Sequence, residues 1–169
     1  MSRILEYFSE YIDKYNQFEK VLSNIKRYEY SDDEKYSIMP LYFQRGFKAK
    51  GRDTDKGKAI FSYGFDSYDK LIYIKNGKLE SFILYFDESI NLFCFEGNNP
   101  YSNEKTLSYI QITELISKDQ LYGTVKVNRR QEIKVEKYYY ENGRMIKIEN
   151  PIDFEYGTYN DILNIQYDN

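Results

Sequence analysis

The stretch from Glu132 to Glu149, EIKVEKYYYENGRMIKIE, reads as a β-hairpin and decides the class of the fold. Asn142-Gly143 lies between two runs of alternating polarity, and an Asn-Gly pair tolerates the positive φ angles that a two-residue type I′ turn requires. With Glu141 opposite Arg144, strand alternation predicts a core face of Ile133, Val135, Tyr139, Ile146 and Ile148. The other face, Glu136, Tyr138, Tyr140, Lys147 and Glu149, is then wet. Large aromatics set among charges on a wet face suit a protein partner better than they suit a reaction.

Outward from this hairpin, short alternating or apolar runs separated by turn signals fill residues 59–96: AIFSYGF, LIYIK, LESFILYF and INLFCFE, with a hairpin turn at Asn76-Gly77. Both faces of that hairpin are apolar, with Ile72, Ile74, Leu79 and Ile83 on one and Leu71, Tyr73, Phe82, Leu84 and Phe86 on the other. Such strands are central, covered by helix on one face and needing a second layer or a partner on the other. The helix is found at the start of the chain. Apolar residues from Ile4 to Ile25 recur at three-and-four spacing, which predicts one amphipathic helix over about residues 2–26, capped by Ser2. Tyr28 to Tyr36 reads as a connector, Ser37 to Phe47 as a first strand in which Pro40 marks an edge or a strand start, and 48–58 as a charged loop. After a loop at 97–105, residues 106–120 read as a strand followed by a helical turn from about Thr113, and Leu121 to Val127 as a strand. A last hairpin follows Pro151. The expectation is a single α+β domain over 1–169: an N-terminal amphipathic helix packed on a mainly antiparallel β-meander, with a β-rich second half at 106–168.

Composition excludes more than it specifies. The 169 residues include 20 Tyr and 11 Phe but no Trp, an excess that half-buried strand positions explain and a recognition surface would also explain. A net charge of −3 argues against a general nucleic-acid binder and favours a basic partner. The single cysteine, Cys94, lies in an apolar run and reads as a buried small hydrophobe, so no intramolecular disulfide is expected. Neither a signal-peptide pattern nor an apolar run of membrane-spanning length is present, and a cytoplasmic location is expected.

The chain contains no histidine, which removes His-based acid–base chemistry, Ser-His and Cys-His dyads and the usual zinc sites. The acid pairs Asp66/Asp69 and Asp153/Glu155 stand beside turns, where carboxylates cap backbone more often than they catalyse. Asp53-Thr54-Asp55-Lys56-Gly57 opens like a calcium loop but has Gly64 where the closing bidentate Glu belongs. Gly46 and Gly51 have Walker spacing, yet Arg52-Asp53 follows instead of Lys-Ser/Thr. No enzyme activity, cofactor or metal is expected. The alternative to a protein partner is a nucleic-acid or phosphate-ligand module acting through the basic run Arg45, Lys48, Lys50, Arg52, Lys56 and Lys58, with Phe43 and Phe47 beside it for stacking.

Tyr138-Tyr139-Tyr140-Glu141-Asn142-Gly143-Arg144-Met145 resembles the tyrosine, acid, glycine, basic, aliphatic signature of the YD-type repeats of bacterial Rhs proteins, with Glu141 in place of the usual Asp. The resemblance spans Tyr138 to Asp168, including a second unit at Tyr156 to Ile165. In its acidic, Tyr/Phe-rich composition and its helix-then-meander order, the chain is also similar to the immunity proteins of bacterial polymorphic toxin systems. That likeness implies a non-enzymatic inhibitor that binds one toxin domain and blocks its active site. The Lys, Ile, Asn and Tyr bias fits an AT-rich bacterial or phage genome. The expected partner-binding residues are Tyr138, Tyr140, Tyr156 and Tyr159 as aromatic anchors, within an acidic rim of Glu136, Glu149, Glu155 and Asp161 that attracts a basic partner.

Overall fold

A computed structural model describes residues 2–45, 49–97, 105–117, 120–150 and 162–167. The helical period of the first 25 residues is realised as two helices, α1 Ser2–Tyr11 and α2 Tyr15–Leu22, rather than the single helix expected. The break has a partner in the sheet. The Ile12 carbonyl, which would bond within a continuous helix, instead accepts from the Leu107 N–H at 3.0 Å, and Lys14 N–H closes a turn on the Tyr11 carbonyl. Leu107 lies at a bulge where the register shifts between Cys94 and Phe95, so a sheet irregularity takes up the carbonyl that the broken helix releases.

Among the described residues ten strands follow: β1 Arg27–Ser31, β2 Phe61–Phe65, β3 Leu71–Asn76, β4 Leu79–Tyr85, β5 Ser89–Gly97, β6 Lys105–Ser117, β7 Gln120–Asn128, β8 Ile133–Glu141, β9 Arg144–Glu149 and β10 Ile162–Asn164. They form one open sheet in which each strand pairs antiparallel with its neighbour in sequence, from β1 at one edge to β10 at the other. The Asn142-Gly143 turn is as expected: Glu141 opposes Arg144, and the two loop residues take φ +50 and +77. In the earlier hairpin the loop is Gly77-Lys78, since Asn76 opposes Leu79, and Gly77 supplies the positive φ of +56.

Tyr28 to Tyr36 is not a connector throughout, since Tyr28 to Ser31 belong to β1, and 105–117 is strand throughout, without a helical turn. The β-branched Ile110, Ile112 and Thr113 suit a pleated strand that is covered on both faces.

One face of the sheet carries the helices. The cross-strand row Tyr73, Phe82, Phe93, Ile110, Val127 and Ile133 lies beneath Phe8 and Phe18, with the Phe18 ring 4.7 Å from Phe93 and 5.2 Å from Phe95. Burying each such ring is worth about 1.5–3 kcal/mol. At the start of α2 the Tyr15 hydroxyl donates to Glu80 at 2.6 Å, and Lys105 reaches the same carboxylate at 2.8 Å.

The second layer that the apolar meander demands comes from the chain itself. Ser37 to Arg45 is no strand: it crosses the other face as a strap ending in a 3-10 turn, Phe43–Arg45. Tyr36 meets Tyr63 and Phe65 edge-on, Ile38 packs on Ile83, Leu92 and Cys94, and Leu41 packs on Tyr138, Met145 and Ile148. Pro40, which cannot donate to a sheet ladder, instead offers its carbonyl to Arg45.

Candidate functional site

The organising hairpin keeps Ile133 and Ile148 in packed positions as expected but divides its other residues between the two faces differently from the expected pattern. The register shifts between Tyr139 and Tyr140, so Tyr139 opposes Lys147 while Tyr140 opposes Met145, and Ile146 is the extra residue of a bulge. Met145 and Ile148 therefore share the strap side with Glu136, Tyr138 and Tyr140. Glu136 is fully buried, paired to the Arg45 guanidinium through two hydrogen bonds of 2.6 and 2.9 Å. Tyr138 is buried too, its hydroxyl 2.6 Å from Thr124 Oγ1, which lies 2.9 Å from Thr113 Oγ1; burial pushes its phenol well above the ordinary value. Tyr140 accepts from the Leu121 N–H at 3.0 Å. Of the expected wet face, Glu136, Tyr138 and Tyr140 thus lie on the strap side, where Arg45 balances the Glu136 charge, while Lys147 and Glu149 fall on the helix side with Tyr139. Conversely, Tyr139 and Ile146, expected in the core, are exposed on the helix side of the sheet and at the bulge. Glu149 bonds the Tyr139 hydroxyl, a contact that lowers its carboxyl. Glu155, Tyr156, Tyr159 and Asp161 lie outside the described residues.

The basic run does not converge on a groove. Arg45 points inward, Lys50 lies over the Tyr36 ring, Arg52 pairs with Asp32 at 3.3 Å, and Lys56 and Lys58 stand exposed on a second 3-10 turn; Lys48 is outside the described residues. Asp66 caps the β2–β3 turn, accepting from the Tyr68 and Lys70 N–H groups, and Asp69 pairs with Arg27. Among the described residues, no three acid or thiol side chains are grouped so as to hold a metal ion.

A groove of about 730 Å³ lies beside α1 on the helix side. Its wall is Ile4 and Tyr7, and its floor is built from the next cross-strand row, Leu84, Asn91, Ile112, Val125 and Val135, of which all but Leu84 line it. The row is aliphatic except at Asn91. The Oδ1 atom of that side chain is buried and has no hydrogen-bond partner among the described residues. A buried acceptor without a donor costs on the order of 1–3 kcal/mol, so it is an unfavourable choice for a floor that packing alone would make of Leu or Val. Asp87, Glu88 and Glu114 stand exposed at the mouth.

Asn91 was open to discovery from sequence. In INLFCFE the helix-side positions are Asn91, Phe93 and Phe95, and an amide in register with two buried rings is out of pattern. No protein family, curated protein or solved structure matches the chain. No helix among the described residues is long and apolar enough to cross a membrane.

Proposed function

We propose that the protein is a non-enzymatic inhibitor that acts by binding a partner protein, of the kind that neutralises a bacterial toxin domain, and that it docks through the helix-side surface of β6 to β9. One observation carries this reading. The helices pack over β3 to β7 and reach only Ile133 at the start of β8, leaving Ile116, Tyr122, Tyr139 and Ile146 exposed at the end of the sheet where the groove opens. Exposed aromatic and aliphatic groups beside an apolar groove give a partner area to bury, and the acids at the mouth favour a basic one.

This surface replaces Glu136 and Tyr138, which the strap covers, while retaining Glu149 beside Tyr139. The test is to look for a toxin reading frame immediately upstream of the gene and to co-purify the protein with the toxin domain it encodes. A one-to-one complex at micromolar concentration that weakens when Tyr139 and Ile146 become Ala is expected. Absence of a complex with an intact fold would end the reading.

A further inference from the structure

We infer that the groove beside α1 receives an arginine side chain of the partner protein, held at Asn91. The inference rests on the proposed docking function and names its anchor. Three features of the groove converge on this chemistry. The floor of Ile112, Val125 and Val135 and the wall of Ile4 and Tyr7 are apolar, matching the methylene stem of a long side chain and its apolar neighbours. Asn91 lines the groove, and its Oδ1, shielded from water, has no donor among the described residues; a turn of the side-chain amide toward the cavity offers this acceptor to an incoming N–H or O–H. Around the mouth, Asp87, Glu88 and Glu114 supply carboxylates and, among the described residues, no lysine or arginine lines the cavity, so the donor that fits best is positively charged.

An arginine meets all three demands at once, because its planar fork can donate to the Asn91 carbonyl and to a carboxylate together, whereas a lysine ammonium is a point charge that loses more hydration on entering. The cavity is larger than one side chain, so flanking aliphatic residues of the same partner segment occupy the remainder.

The probe is a capped Leu-Arg-Leu tripeptide, titrated to millimolar concentration into the full chain and followed by ¹H–¹⁵N NMR, with Leu-norleucine-Leu as control. The expected result is perturbation of the Asn91 side-chain amide and of the Ile112 and Val125 backbone amides by the arginine peptide alone, weakening as salt is raised. Asn91→Leu should abolish these shifts while raising the melting temperature, and Asn91→Asp, which keeps the acceptor, should retain them. No shifts, or shifts unaltered by Asn91→Leu in a folded protein, would overturn the inference. Should that happen while the toxin domain still co-purifies, the anchor fails and the docking reading stands; loss of the complex alone would instead remove the docking reading.

Discussion

Arg45 and Glu136, 91 positions apart in sequence, meet under the strap as a bidentate ion pair in which both side chains are almost entirely removed from water. The guanidinium also holds the Pro40 carbonyl at 2.8 and 3.1 Å, so one side chain ties the end of the strap both to its own start and to β8. Removing one member of such a pair leaves a buried charge without a counter-charge. Arg45→Ala is expected to cost about 3–5 kcal/mol, and Arg45→Met with Glu136→Leu to recover most of that. Urea denaturation midpoints of the two variants check this; equal destabilisation in both would show that strap packing, not the charge, dominates.

Gly123 and Gly143 separate two reasons for glycine. A Cβ at Gly123 would lie 2.6 Å from the Glu136 carbonyl oxygen, a backbone atom that cannot swing aside, whereas a Cβ at Gly143 meets nothing within 4 Å. Gly123→Ala should therefore cost about 1–3 kcal/mol through displacement of β8. Gly143→Ala should cost about 1 kcal/mol, through its φ of +77 alone. Thermal melts of the pair, with near-ultraviolet circular dichroism to report the tyrosines around Glu136, distinguish the two mechanisms.

Acid sensitivity is expected at the β1 edge. Burial raises the Glu29 carboxyl, but hydrogen bonds from Lys35, Tyr36 and Arg27 outweigh it and hold the group at about 2 rather than the ordinary 4.5. A carboxyl lowered by folding contributes stability that is fully present above its unfolded value and is lost as pH falls from about 4.5 towards about 2. Glu29→Gln should thus be less stable than the parent at neutral pH, with the difference shrinking across that window. A constant difference from neutral pH to about 2 would mean that Glu29 acts by packing instead.

The alternation of residues was readable at the level of elements and turns, and misleading at the level of faces. Asn142-Gly143 specifies its turn locally, so the hairpin and its loop follow from two residues. The sides of β8 do not, because a pattern such as Glu136-Lys137-Tyr138-Tyr139 is wet-side or core-side according to what covers it, and the cover comes from Leu41 and Arg45, far away in sequence. Pro40 was correctly a poor ladder member, but its segment became a strap rather than an edge strand. The bulge at Ile146 hides the register completely, since a single extra residue moves Met145 to the strap side without any compositional mark. Asn91 was legible as a polar residue out of pattern; that it borders a groove depends on where Ile4 and Tyr7 of α1 lie across the sheet, which no local signal encodes.

Tyr138 and Tyr139, adjacent in sequence, are expected to separate stability from binding. Tyr138 fills the strap-side core with its hydroxyl bonded to Thr124, so Tyr138→Ala should destabilise by about 3–5 kcal/mol, while Tyr138→Phe leaves the packing and loses only the 2.6 Å hydroxyl contact, worth about 1 kcal/mol. Tyr139 stands on the opposite side with Lys147 Nζ 3.9 Å from its ring centre, partly open to solvent. Its contacts are of the surface kind, so Tyr139→Ala should change stability by about 1 kcal/mol or less. If the helix-side surface is the docking face, the same substitution should weaken the complex with the toxin domain by tenfold or more, about 1.4 kcal/mol, through faster dissociation. Urea denaturation and surface-plasmon-resonance off-rates measure the two quantities independently. Unchanged off-rates for Tyr139→Ala, alongside a weakened complex for the folded Tyr138→Phe protein, would return the interface to the strap side of the sheet.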